Sequence, residues 1–191
     1  MEGEKYLRVL EAARTVFLRY GYRRVTMQDI ADEAGISRPA LYLVLPNKEE
    51  VFRAAMKQLT AESMAAIRAG LPALPDVEER LRFTFEIWTV QPFQLMLSSP
   101  DAKDLVHCGQ DFASDILNQV AVEFEALLVE ILTPLLDDGQ SSVLPLTEIA
   151  HLLSASIHGY KEAAESVEQL RKMIHGLISL TLAALKPPHA S

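Results

Sequence analysis

Arg38 and Tyr42 stand one helical turn apart on a short segment that opens with Ser37 and closes at Pro46. A guanidinium can donate two parallel hydrogen bonds to O6 and N7 of guanine, or brace a phosphate, and a phenol reaches a phosphate oxygen. Thr26 and Lys48 fall at the starts of two other expected helices, where free amides and the positive dipole end already favour an anion. Their plainer readings are capping for Thr26 and solvated charge for Lys48. Elsewhere reactive groups are scattered. His151 and His158 are seven residues apart on one expected helix face, and could hold a metal only with partners from elsewhere. Core or seam positions account for them better. Cys108, beside His107, has no second cysteine and no arranged base, so it reads as a buried spectator. With no Gly-rich phosphate loop, no cysteine pair and no HExxH, the sequence argues against an enzyme and for no metal or cofactor.

These residues need elements to position them, and apolar spacing at three and four predicts helix nearly throughout, with no sheet. Leu7, Leu10, Ala13 and Phe17 line a first helix from Lys5 to about Tyr20, stopped by Gly21. Thr26 with Asp29 caps a second, ending near Ala34; Gly35 supplies the turn; Ser37 caps a third that Pro39 enters and Pro46 ends. Asn47 with Glu50 opens a long fourth helix to Gly70. Ala31 is small where two helices would cross, and Ile30, Ile36 and Leu41 anchor the second against the third, which is the pattern of a helix-turn-helix. The third helix would then turn Arg38, Pro39, Ala40, Tyr42 and Leu43 outward, at a width that suits a major groove.

The remainder predicts a fifth helix from Asp76 through Val90, a kink or a new start at Pro92 and a short element near Asp101 to His107. A long helix from Gln110 to Leu136 follows, then a loop at Gly139 to Ser142 and closing helices at Thr147–Ala164 and Ser166–Leu185. The expected division is a head at 1–46, a connecting helix at 47–70 and an all-α body at 71–191. Charge divides the chain similarly. Residues 1–60 hold ten basic and eight acidic side chains, +2, while the rest carries −10, giving −8 overall. That balance excludes a protein that coats nucleic acid everywhere but permits one mildly basic binding patch. A single cysteine and a start without an apolar secretory stretch predict a reducing, cytoplasmic setting. Leu177 to Leu185, interrupted by Ser179 and Thr181, is too short to cross a bilayer of roughly 20 residues' span.

Val25 to Phe52, reading VTMQDIADEAGISRPALYLVLPNKEEVF, resembles the DNA-binding head of TetR/AcrR-type transcriptional regulators. The resemblance implies a homodimeric transcription factor, usually a repressor, that leaves double-stranded DNA when a small molecule binds its body. Carried over by position, it makes Arg38, Pro39, Ala40, Tyr42 and Leu43 groove-facing, Gln28 a second-helix contact, and Thr26 and Lys48 phosphate contacts. Val44 and Leu45 depart from the family's usual His or Tyr followed by Phe, so the operator sequence is not inherited from relatives.

In the body, Phe85, Trp88, Phe93, Met96, Phe112, Ile116 and Phe124 gather where the family builds its ligand cavity, and Thr84, Thr89, Gln91, His107 or His151 could orient a small hydrophobic ligand. The closing helices hold more apolar residues than one core needs. Ile149, Leu152, Leu153, Ile157 and Tyr160, then Leu170, Met173, Ile174, Leu177, Ile178 and Leu182, predict a four-helix dimer seam, with Ser154, Ser156 and Gly159 permitting close approach. A two-fold pair would set its recognition helices roughly 34 to 36 Å apart and ask for a palindromic operator. The rival reading is a helical small-molecule or lipid-binding protein whose head is structural only.

Overall fold

Local capping fixes where the helices begin. In a computed structural model, which describes residues 2–99, 104–136 and 144–185, the described chain is helical and without strands. Its α-helices are α1 (Glu2–Tyr20), α2 (Met27–Glu33), α3 (Arg38–Tyr42), α4 (Lys48–Gly70), α5 (Val77–Phe85), α6 (Gln91–Leu97), α7 (Asp104–Leu132), α8 (Leu146–Ala163) and α9 (Val167–Leu185). Gly21 (φ 76°) and Gly35 (φ 66°) end α1 and link α2 to α3, both in the left-handed region that other residues enter at a cost. The expected loop at Gly139 to Ser142 lies outside the described residues.

Three expectations are refined. The third helix stops at Tyr42 rather than at Pro46, because the amides of Val44 and Leu45 both turn back onto the Leu41 carbonyl. The kink or new start foreseen at Pro92 takes the form of a π-helical turn, Glu86–Val90, in which the Gln91 amide reaches back five residues to Glu86. Pro92 has no amide proton and its ring crowds the turn before it, so the helix widens just ahead of it. The short element expected near His107 runs on to a kink at Ala113 (φ −136°, ψ 22°), where two helices meet within α7.

The chain forms two compact units. One comprises residues 1–62 and 95–119; the other comprises 63–94 and 120–191. Both long helices, α4 and α7, are thus divided between them. The first unit's core joins Val9, Ala13, Phe17, Ile30, Ala31, Leu41, Val51 and Phe52 with Cys108 and Ala113 of α7. Arg53 of α4 clamps α7 there, donating to the Phe112 carbonyl and to both carboxylate oxygens of Asp115 at 2.7 Å. The second unit's core is larger, built on Leu81, Phe85, Phe124, Leu127, Leu128, Leu153, Leu170, Ile174 and Ile178. Spacing alone reads a continuous helix as one part; packing assigns its two ends to different cores.

Candidate nucleic-acid interface

The short helices that carry the interface depend on their side-chain caps, since helices of five or seven residues are marginal by themselves. Thr26 accepts from the Asp29 amide, and the Asp29 carboxylate accepts from the Thr26 amide at 2.8 Å and from its hydroxyl at 2.7 Å. That ring holds the Asp29 carboxyl below its ordinary pKa, the Thr26 hydroxyl being the largest cause. Ser37 accepts from the Ala40 amide at the start of α3, and Asn47 from the Glu50 amide at the start of α4.

On that frame Leu41 faces inward at 0% exposure, while Tyr42 is 42% and Leu43 87% exposed. Arg38 and Pro39 are also exposed; Ala40 is half-buried. The Arg38 guanidinium lies 5.5 Å from the Tyr42 ring centroid and donates to its phenol oxygen at 3.2 Å. One contact braces a donor fork and the other orients the phenol, so the two polar ends are presented as a pair. Gln28, exposed on α2, donates to Asp32 at 2.7 Å. Val44 and Leu45 are half-buried and pack on the head core, giving them a structural role in place of a phosphate donor.

Lys48 has a role that its spacing did not reveal. Its Nζ donates to the carbonyls of Tyr22 and Val25, each at 2.8 Å, and sits 4.2 Å from the Tyr22 ring centroid. The ammonium therefore ties the start of α4 to the loop before α2. No local pattern could announce this, because the partners lie more than twenty residues back. The Arg53–Asp115 clamp was equally invisible; it draws the Asp115 carboxyl down to about 2, chiefly through the guanidinium hydrogen bonds.

Residues 9–55 match the family model described as bacterial regulatory proteins, tetR family. This segment, about a quarter of the chain, is similar to the DNA-binding head of that family. Among curated relatives, it is 44% identical over 52 residues to the uncharacterized HTH-type transcriptional regulator YfiR of Bacillus subtilis, covering 27% of this chain and 25% of YfiR. It is 34% identical over 83 residues to the HTH-type transcriptional activator FasR of Mycolicibacterium smegmatis, covering 44% of this chain and 38% of FasR. With the HTH-type transcriptional repressor KstR2 of Rhodococcus jostii it shares 27% over 135 residues, 69% of this chain and 65% of KstR2. The matched part is thus less than two thirds of each of these relatives. Solved structures extend the likeness of fold to nearly the whole chain. A TetR transcription regulator from Haloarcula marismortui superposes with a TM-score of 0.77 at 20% identity, over 95% of this chain and 98% of that one. The fatty acid degradation regulator FadR from Bacillus halodurans gives 0.67 at 20% identity, over 91% and 94%.

The expected ligand residues separate into two groups. Phe85, Trp88, Thr89, Phe93 and Phe124 belong to the second unit, where Trp88 stacks on Phe124 at 4.6 Å and Phe85 meets it edge-on at 5.8 Å. Phe112 and Ile116 instead pack on the head core, with Phe112 5.3 Å from Tyr22, because this end of α7 belongs to the first unit; Met96 is assigned to that unit too. His151 is exposed, bonded to Glu125 at 2.9 Å, and borders a surface hollow of about 380 Å³ with Thr147, Glu148 and Leu152. The His107 side chain lies outside the described residues.

Of the expected seam residues, Leu153, Ile157, Leu170, Ile174 and Ile178 are between 0% and 4% exposed inside their own unit's core, whereas Leu152 and Gly159 are exposed. Ile149, Tyr160 and Leu177 are half-buried against that same core. The apolar surplus of the closing helices is largely spent on packing α8 and α9 with α5 and α7. What those helices leave outside is Leu152 at 54% and Leu180 at 72% exposure, with the small residues Ala155, Gly159, Gly176 and Ser179 also exposed.

Proposed function

We propose that this chain is a homodimeric, ligand-responsive DNA-binding transcriptional regulator, held on a palindromic operator by its two heads and released by a small hydrophobic molecule. The observation that carries the reading is the exposed face of α3, where Arg38, Tyr42 and Leu43 stand outward from a capped helix whose Leu41 is fully buried. A monomer core has no use for an 87% exposed leucine beside a braced guanidinium; a major groove has, through thymine methyl and guanine edges. Thr26 before α2 and Lys48 at the start of α4 would add phosphate contacts that set register, and Gln28 a contact from α2. Pro39 and Ala40 shape the approach.

Dimerisation would use the outward strips of α8 and α9. Leu152 and Leu180 supply apolar area, and a Cβ at Gly159 or Gly176 would meet nothing within 4 Å, so both glycines lie open to close approach by another helix. FasR is named an activator and KstR2 a repressor. Repression is the simpler assignment for this chain, since an occupied operator blocks transcription without any further surface. Ligand binding would favour a conformation with misplaced heads, weakening DNA binding by about 1 to 3 kcal/mol of coupling. Footprinting the purified protein on DNA flanking its own gene, with and without apolar extracts, tests the reading. A protected imperfect palindrome that an extract exposes supports it, and no protection at any salt concentration overturns it.

A further inference from the structure

Two threonine hydroxyls in the second unit have nothing to bond among the described residues. Thr84 and Thr89 are 0% and 1% exposed and are the buried polar side chains of the described chain; neither Oγ1 has a hydrogen-bond partner there. A helix ordinarily offers such a hydroxyl the carbonyl one turn back. Thr15, Thr60, Thr133 and Thr181 all take it, donating to Glu11, Met56, Val129 and Leu177 at 2.7 to 3.1 Å. The residue type is therefore not the reason. A buried hydroxyl that declines the available bond carries a desolvation cost with no return inside the free protein.

The backbone between the two threonines is unusual as well. Residues five apart on a regular α-helix point about 140° away from each other. The π-helical turn at Glu86–Val90 adds a residue to one turn and carries Thr89 round toward the side that holds Thr84, consistent with both being fully buried. Such turns are rare overall and frequent at functional sites. Around them the chain supplies apolar surface: Phe85 is fully buried, Val90 is 2% exposed, and Trp88 lies flat on Phe124. No charged side chain is buried among the described residues.

We infer that Thr84 and Thr89 are the polar anchor of the body's ligand site, and that its ligand is an uncharged, mainly apolar molecule bearing a hydrogen-bond-accepting oxygen, such as an ester, ketone or alcohol. This deepens, and rests on, the ligand-responsive reading above. Two buried, unpartnered hydroxyls reward an acceptor oxygen that replaces their missing partners. A hydrocarbon of the same shape leaves them unpaired, which is how a site built for hydrogen bonding rejects an analogue lacking the group. A carboxylate fares badly too, since no buried cation meets its charge.

Trp88 is the chain's one tryptophan and reports on the site directly. Full-length protein is titrated with methyl octanoate, octanoate and octane, following Trp88 emission and heat of binding. The ester should saturate the signal, with the carboxylate and the hydrocarbon at least tenfold weaker. The double variant Thr84→Val, Thr89→Val should lose at least tenfold in ester affinity, leave octane binding unchanged and melt several degrees higher without ligand, because it removes two uncompensated groups while keeping their shape. That rise in Tm separates loss of the anchor from loss of the fold. Equal affinity for ester and hydrocarbon, undiminished ester binding by the variant, a lower Tm, or no binding of any of the three probes overturns the inference. DNA affinity measured on the same preparations keeps the two readings apart: failure of wild type to bind DNA would sink the regulator, whereas lost oxygen selectivity with DNA binding intact would sink only this anchor.

Discussion

In the head, polar side chains close onto nearby backbone and leave the rest of their chemistry facing outward: Thr26 with Asp29, Ser37 with Ala40, Asn47 with Glu50, and Arg38 braced on Tyr42. In the body the polar groups divide differently. Its ion pairs, Arg171 with Glu86, Arg68 with Glu130 and Arg82 with Glu78, are part-exposed and of small net worth, while two threonine hydroxyls lie buried and unpartnered among the described residues. On the proposed function the difference has a reason: a surface meeting a charged duplex would keep its donors satisfied and shown, and a site meeting a small apolar molecule would hide donors that only the ligand satisfies.

The largest effects should come from the two aromatic cores. Phe124 in the body is 2% exposed and contacts both Phe85 and Trp88, and Phe52 in the head is 3% exposed between Phe17 and Tyr22. Truncating either to alanine should cost about 3 to 5 kcal/mol in urea unfolding. A loss below about 1 kcal/mol at either site would mean that its cluster does not hold the fold.

Two glycines sharpen the contrast between conformational and steric constraint. An alanine methyl at Gly70 would stand 2.3 Å from the Phe83 ring, so Gly70→Ala should destabilise by about 1 to 3 kcal/mol and be partly rescued by adding Phe83→Ala. Gly35 has open space around it but a φ of +66°, so Gly35→Ala should cost about 1 to 2 kcal/mol that no second-site truncation recovers. Thermal melts of the singles and the double distinguish the cases. Removing the α2 cap is smaller: Thr26→Ala should cost about 1 kcal/mol, read in the same melts.

The smallest effect is a pH dependence of the body. The Nδ1 of His175 accepts from Arg82 at 2.8 Å, which places the ring proton on Nε2. Burial, then the Arg82 and Arg171 charges, lower its pKa against the opposing pull of Glu86 and Glu168. A lowered histidine pKa means that the unfolded chain binds the proton more readily, so stability should fall as pH drops below the unfolded value of about 6.5. His175→Gln, which has no ring to protonate, should flatten that part of the stability profile; an unchanged slope would contradict the assignment.

Much of this was legible in the sequence where the cause is local. Gly21, Gly35, Thr26, Ser37 and Asn47 each announce a turn or a cap within four residues, and the structure has a helix boundary at each. The periodicity of α8 and α9 likewise identified the buried face. What it could not say is against what that face packs, and Leu153, Ile157, Leu170, Ile174 and Ile178 meet their own unit rather than standing free for a second chain. Phe112 and Ile116 went astray for the same reason, since an apolar stripe on a long helix does not record which of two cores each end enters. Lys48 and Arg53 bond to groups 23 to 62 residues away, beyond the reach of any spacing rule.

The central claim is that α3 reads DNA through the face around Arg38 and Tyr42, and fluorescence anisotropy on the footprinted operator tests it most directly. Arg38→Ala and Tyr42→Ala should each weaken binding by about 1 to 3 kcal/mol per half-site, together at least about a hundredfold, with the mass of the assembly in solution unchanged and wild-type affinity falling steeply with added salt. Undiminished affinity in both variants, at a salt concentration where the wild type binds specifically, would contradict it.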